Sequence, residues 1–123
     1  MKKLCKIVLV SSLSLLCFSC YYDTAIEEEE IIIPPDEEVF FSTDIQPIFN
    51  KCTGCHGGNI APDLRAGNSY NALVPQYVTA GNAETSELYN YLPGHGHHDI
   101  GLTLSPTEIA LIKTWIDRGA ENN

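Results

Sequence analysis

Apolar side chains fall into three patterns along the chain. Ile7 to Phe18 is a mostly apolar run behind Lys2, Lys3 and Lys6, the order of an export signal rather than of a folded element. It is shorter than the roughly 20 residues that cross a bilayer comfortably. Further on, Ile45, Ile48, Phe49 and Cys52 recur at three-and-four spacing, which predicts a helix that buries one face and points its last residue, Cys52, at whatever that cysteine holds. Ser42 or Thr43 is the expected cap, and Pro47 falls in a first turn, where its missing N–H has no partner to lose. Near the end, Ile109, Ile112 and Ile116 form a stripe flanked by Leu111 and Trp115. Ser105, Pro106 and Glu108 supply a capping serine, a proline at the first helical position and a glutamate at the third, and Gly119 supplies the stop.

Between these helices the punctuation is dense. A loop is expected through Asn59, Pro62 and Gly67, then a short helix from Ser69 to Val74 ended by Pro75. Another is expected from about Ser86 to Leu92, with Thr85 or Ser86 as cap and Pro93-Gly94 as stop. No convincing strand, internal repeat or phosphate-cradling glycine loop is visible. The expected fold is mainly α, a small helical domain with long loops over residues 41–123. Roughly 80 residues with few large apolar side chains make a marginal core, to which a buried cofactor would add apolar mass.

Charge divides the chain as well. Tyr21 to Phe40 carries eight acids, no bases and the pair Pro34-Pro35, the composition of an extended, solvated tether. The run Ile31 to Ile33 within it leaves open a short strand or packing on the domain. Beyond Cys20 only Lys51, Arg65, Lys113 and Arg118 are basic, against all 16 acids. Nothing there neutralises phosphate, so nucleic acid is not an expected partner. A partner protein with a basic docking surface is, because complementary charge speeds encounter.

Ser19 stands immediately before Cys20, which resembles the cleavage site of bacterial lipoproteins, whose cysteine becomes the lipidated first residue. Those signals usually carry Leu three residues before the cysteine and a small residue two before it, where this chain has Cys17 and Phe18. A plain secretory signal and an uncleaved anchor are the other readings. The expected organisation is a signal over residues 1–19, a lipidated Cys20 with an acidic linker over 20–40, and the domain over 41–123. The location is then the cell envelope, lipid-anchored to the membrane, facing the periplasm or displayed outside the outer membrane; an acidic tract behind the cysteine resembles some surface-export signals.

Cys5 and Cys17 leave with such a signal, so Cys52 and Cys55 are the cysteines of the mature domain. Cys52-Thr53-Gly54-Cys55-His56 is the C-x-x-C-H pattern of covalent haem attachment. Two thiols on one turn can form thioethers to the two vinyl groups of one haem, and the next residue offers an imidazole to the iron. A C-x-x-C pair also suits a redox dithiol, and Cys52, Cys55 and two later histidines would make a four-coordinate zinc set. The export signal favours haem, since c-type attachment in bacteria is completed outside the cytoplasm.

FSTDIQPIFNKCTGCHGG and LSPTEIALIKTWIDRGAENN resemble the first and last helices of small class I type cytochrome c domains, closest to planctomycete-type and lipoprotein-borne forms. The resemblance covers essentially Phe41 to Asn123 and is loose in the middle. It implies one haem c wrapped by a few helices, the first and last packed across each other, with His56 as proximal ligand. In such domains a carbonyl neighbouring a proline orients that histidine; Pro62 stands in place for this, a plain turn being the alternative.

The same family usually places a methionine before the last helix as second axial ligand, but the only methionine here is Met1. Gly94-His95-Gly96-His97-His98-Asp99 stands in that region, and imidazole is a competent substitute. His98 falls about where the methionine would, so it ranks first, ahead of His97 and then His95. Asp99 is placed either to steady a ligand ring or simply as a surface acid. The expected function is an anchored cytochrome that carries single electrons. A five-coordinate haem sensor or minor peroxidase, or a haem-free histidine-loop metal binder, are the alternatives. No acid–base pair, nucleophile or substrate pocket is identifiable, so an enzyme is not expected.

Overall fold

A computed structural model describes residues 31–123. The expected signal, Cys20 and the first part of the acidic tether lie outside the described residues. Within them the chain is mainly helical with long loops and contains no strand. No helix there is long and apolar enough to cross a membrane.

The first helix opens with a wide π turn, Phe41–Ile45, and continues as α1, Gln46–Asn50. Neither Ser42 nor Thr43 caps it. Phe40 occupies the cap position, and its N–H donates to Asp44 Oδ2 at 2.7 Å. Pro47 sits in the first turn of α1, as its missing donor requires. Ile45, Ile48 and Phe49 are buried, Cys52 packs at the edge of the same cluster, and Phe41 extends the buried face back by one turn.

Two short helices follow, α2 over Ser69–Leu73 and α3 over Glu87–Asn90. α2 starts at Ser69 as the sequence suggests and ends one residue early, before the extended Val74, whereas α3 is shorter at both ends. Ser86 precedes α3 without capping it; its hydroxyl accepts from Thr79 N at 2.9 Å and donates to Asn82 O at 2.8 Å. Ser69 donates to buried Gln46, whose amide reaches the Leu64 carbonyl at 3.1 Å. That chain of bonds fastens α2 and the intervening loop to α1.

The last helix, α4 over Pro106–Asp117, has the expected capping box: Glu108 N donates to Ser105 Oγ at 3.2 Å and Ser105 N donates to Glu108 Oε2 at 2.9 Å. Gly119 adopts φ +112° just beyond it, a conformation that side chains other than glycine's disfavour. The buried face is Ala110, Ile112, Trp115 and Ile116, with Ile109 and Leu111 only half-buried on its flanks. Trp115 therefore lies at the centre of the stripe rather than beside it. The reason is Phe41, whose ring lies 5.2 Å from Trp115 and 5.3 Å from Tyr70. This aromatic cluster joins the first and last helices.

The start and end of the domain are also tied directly. Phe41 N donates to Asn123 Oδ1 at 2.7 Å and Ser42 N to Asn123 O at 3.0 Å. The chain joins the folded body before Phe41. Val39 is buried, Ile33 packs on the core, and the Arg118 guanidinium donates to the carbonyls of Ile33, Pro34 and Glu37. Of the open choices for Ile31 to Ile33, Ile33 takes packing on the domain, while Ile31 and Ile32 are exposed.

Candidate functional site

The C-x-x-C-H segment continues directly from α1 as tight turns. Cys52 N donates to Phe49 O at 2.8 Å, Cys55 N to Cys52 O at 3.2 Å, and His56 N to Cys52 O at 2.9 Å. Thr53 adds a hydroxyl bond to Asn50 O at 2.8 Å. These bonds put Cys52, Cys55 and His56 on consecutive turns at the end of a buried helix. Cys52 is half-buried against the core, Cys55 is exposed, and both thiols are free. Burial pushes the Cys52 thiol above its ordinary pKa; Lys51 beside it acts in the opposite sense. A Cβ on Gly57 would come 2.7 Å from the Thr53 carbonyl oxygen, so the backbone can leave His56 along this path only without a side chain there.

The loop after Gly58 folds back onto His56. Leu64 N donates to His56 O at 2.8 Å. The ring nitrogen His56 Nδ1 lies 3.2 Å from Pro62 O, so the proline's own carbonyl receives the Nδ1 proton. That contact selects the tautomer in which Nε2 carries a lone pair, and it fixes the ring's orientation. Asp63 and Arg65 hold the loop in shape: Arg65 Nε and Nη2 donate to the two carboxylate oxygens at 2.9 and 2.7 Å, and Asn68 adds a third bond at 2.9 Å. The guanidinium keeps the Asp63 carboxyl well below the usual carboxylate range.

On the opposite strand of chain, the histidine loop presents its three rings unequally. His97 is half-buried, and its ring centre lies 6.3 Å from that of His56 at an interplanar angle of 69°. Its Nδ1 donates to the His98 carbonyl at 2.8 Å, leaving Nε2 as the acceptor nitrogen, as in His56. His98 is exposed and stacks on His97 with ring centres 4.5 Å apart. His95 is exposed and lies 5.2 Å from the Tyr89 ring. Asp99 is exposed and accepts from Gly101 N at 2.9 Å, so it shapes the loop rather than a ligand ring. Gly96 has φ +150°, and a Cβ there would come 2.5 Å from the Asn90 carbonyl oxygen. The loop thus lies hard against the end of α3.

Lys51, adjacent to Cys52, forms an ion pair with Glu108, whose other oxygen caps α4. One carboxylate therefore joins the C-x-x-C-H segment to the last helix. The Lys51–Glu108 link joins residues distant in sequence, whereas the Pro62 contact lies six residues from His56 and the Nδ1 of His97 is held by its own neighbour, His98. Only Pro62 carried a sequence signal, as a proline a few residues beyond the motif.

Among the described residues, no three His, Cys, Asp or Glu side chains converge as a group able to hold a metal ion, so the four-ligand zinc set is not assembled in this structure. Haem brings four ring nitrogens of its own and asks the protein only for axial ligands. Comparison with known proteins adds no relative: no family model, curated protein or solved structure matches the chain.

Proposed function

We propose that this chain is a single-haem c-type cytochrome that carries electrons one at a time, its haem attached at Cys52 and Cys55 with His56 as one axial ligand and a loop histidine as the other. The observation that carries the reading is the His56 Nδ1 contact with Pro62 O at 3.2 Å, within a C-x-x-C-H turn. The contact leaves Nε2 as the basic nitrogen, the form a metal-ligating imidazole takes, and holds the ring's orientation. When bound, the haem supplies an iron that gains and loses one electron.

The protein's own residues do the rest. Each cysteine adds S–H across one vinyl double bond: an S–C and a C–H bond form, the S–H and the π bond are lost, and no oxidant is consumed. His56 binds through Nε2, and the Pro62 carbonyl raises its donor strength by accepting from Nδ1. Two imidazoles would leave no open iron position, which favours electron transfer over gas binding or peroxide chemistry. The acidic surface fits a basic redox partner, and the exported, lipid-anchored location through Cys20 belongs to this same reading.

The test is expression in a host with c-type maturation, followed by pyridine haemochrome spectra on denatured, solvent-extracted protein. Haem that stays with the chain in the parent and is lost in a Cys52→Ala, Cys55→Ala double variant supports the proposal. A chain that emerges without covalent haem in that host overturns it. Potentiometry adds a second check: an imidazole in place of the usual thioether lowers the reduction potential relative to a His/Met cytochrome.

A further inference from the structure

Three histidines lie within four residues of one another, and the geometry separates them. Resting on the haem reading above, we infer that His97 supplies the second axial imidazole, positioned by the backbone carbonyl of His98 rather than by any side chain.

Distance is the first argument. Two imidazoles bound on opposite sides of one metal through bonds of about 2.0 Å have ring centres roughly 6 Å apart. His56 and His97 are separated by 6.3 Å. Orientation is the second. The Nδ1 of His97 is engaged by the His98 carbonyl at 2.8 Å and that of His56 by the Pro62 carbonyl at 3.2 Å, so both rings keep Nε2 as the basic nitrogen. A metal-bound histidine ordinarily has its other ring nitrogen held in this way. Burial is the third: His97 is half-buried like His56, whereas His95 and His98 are exposed.

His98 then has a role that its side chain does not perform. Its carbonyl survives any substitution at that position, and its exposed ring stacks on His97 with ring centres 4.5 Å apart. Gly96 is the second positioning residue, because its backbone meets the Asn90 carbonyl where a Cβ would not fit.

The experiment is a comparison of ferric and ferrous visible spectra for the matured parent, His97→Ala and His98→Ala, with carbon monoxide added to the reduced forms. The expected result is low-spin haem in the parent and in His98→Ala, with loss of the low-spin bands and gain of carbon monoxide binding in His97→Ala. Added imidazole should restore low-spin bands to His97→Ala, which separates a missing ligand from a damaged fold. His97→Met provides an independent readout: a low-spin haem with a raised potential. Low-spin bands lost in His98→Ala and kept in His97→Ala would overturn the assignment, as would low-spin bands kept in both. A high-spin parent with covalent haem also overturns it while leaving the haem proposal standing, whereas a parent without covalent haem defeats the proposal itself.

Discussion

Replacing Phe41 by alanine should remove the largest single contribution to the contact between the first and last helices. Phe41 is 5% exposed, and its ring faces Trp115, Tyr70 and Phe49 at 5.2, 5.3 and 6.3 Å. Truncating a buried phenyl ring costs about 3–5 kcal/mol, the larger values where the surroundings cannot collapse into the space. Collapse is restricted here. Tyr70 is held by its hydroxyl to Ala120 O at 2.9 Å, Trp115 by Nε1 to Glu121 O at 2.9 Å, and Phe41 itself by its N–H to Asn123 Oδ1 at 2.7 Å. The expected loss is therefore near the upper end, about 4 kcal/mol, of which the aromatic pairs supply roughly 0.5–1.5 kcal/mol each.

A folded body of this size has a total stability on the order of 5–14 kcal/mol, so the variant should sit close to its unfolding threshold. The assay is urea unfolding followed by far-ultraviolet circular dichroism, with parent and variant in the same haem state. The midpoint should fall by about 1 M or more. Phe41→Leu, which keeps most of the apolar volume, should lose about half as much. A loss under about 1 kcal/mol for the alanine variant, or equal losses for both, would refute the view that this cluster organises the domain.

Other perturbations test the smaller devices. Ser105→Ala should cost about 1 kcal/mol through the lost α4 cap, read as a lower denaturation midpoint with unchanged haem spectra. Glu108 gives a pH dependence. Its carboxyl is held below its ordinary value of 4.5, first by the Lys51 ion pair and then by the Ser105 N–H. A depressed folded pKa contributes stability in full above that unfolded value and loses it as pH falls through the folded one. The stability gap between the parent and Glu108→Gln should accordingly be widest near neutrality and close on acidification, and a gap that widens in acid would contradict the sign. Arg118→Ala should release residues 33–37 from the domain, speeding protease cutting there roughly fivefold for about 1 kcal/mol of lost hydrogen bonding. Gly96→Ala should shift the histidine loop, because about 0.9 Å of movement is needed to bring its Cβ, 2.5 Å from the Asn90 carbonyl oxygen, to an ordinary contact distance of 3.4 Å. A partial gain of high-spin haem would register it, and unchanged spectra with unchanged stability would deny the contact.

Local chemistry was legible in the sequence because it depends on near neighbours. The α4 cap follows from Ser105, Pro106 and Glu108 standing at fixed spacing, and hydrogen bonds across three residues cannot depend on the rest of the chain. The buried face of α1 follows equally from periodicity, and the C-x-x-C-H motif is written in five consecutive residues. Where the expectation and the structure part, a long-range partner is responsible. Phe41 and Trp115 lie 74 positions apart, so nothing local announced that Trp115 would take the centre of its stripe. Ser86 turned its hydroxyl to the loop at Thr79 and Asn82 instead of a helix start, and Ser69 turned its own to Gln46 of α1, because those partners reach them only in the folded chain.

The site divides along the same line. The residue types at Cys52, Cys55 and His56 were determined by the sequence alone, and so was the presence of three histidines at positions 95, 97 and 98. Which of those histidines approaches His56 is a question of distance, and distance is set by the packing of the loop against α3 and by the glycine at position 96. Counting residues back from the last helix favours His98, since a loop's register in sequence carries no information about which ring turns inward. The tertiary structure brings the half-buried His97 ring to within 6.3 Å of His56 and gives its N–H the carbonyl of the next residue as partner.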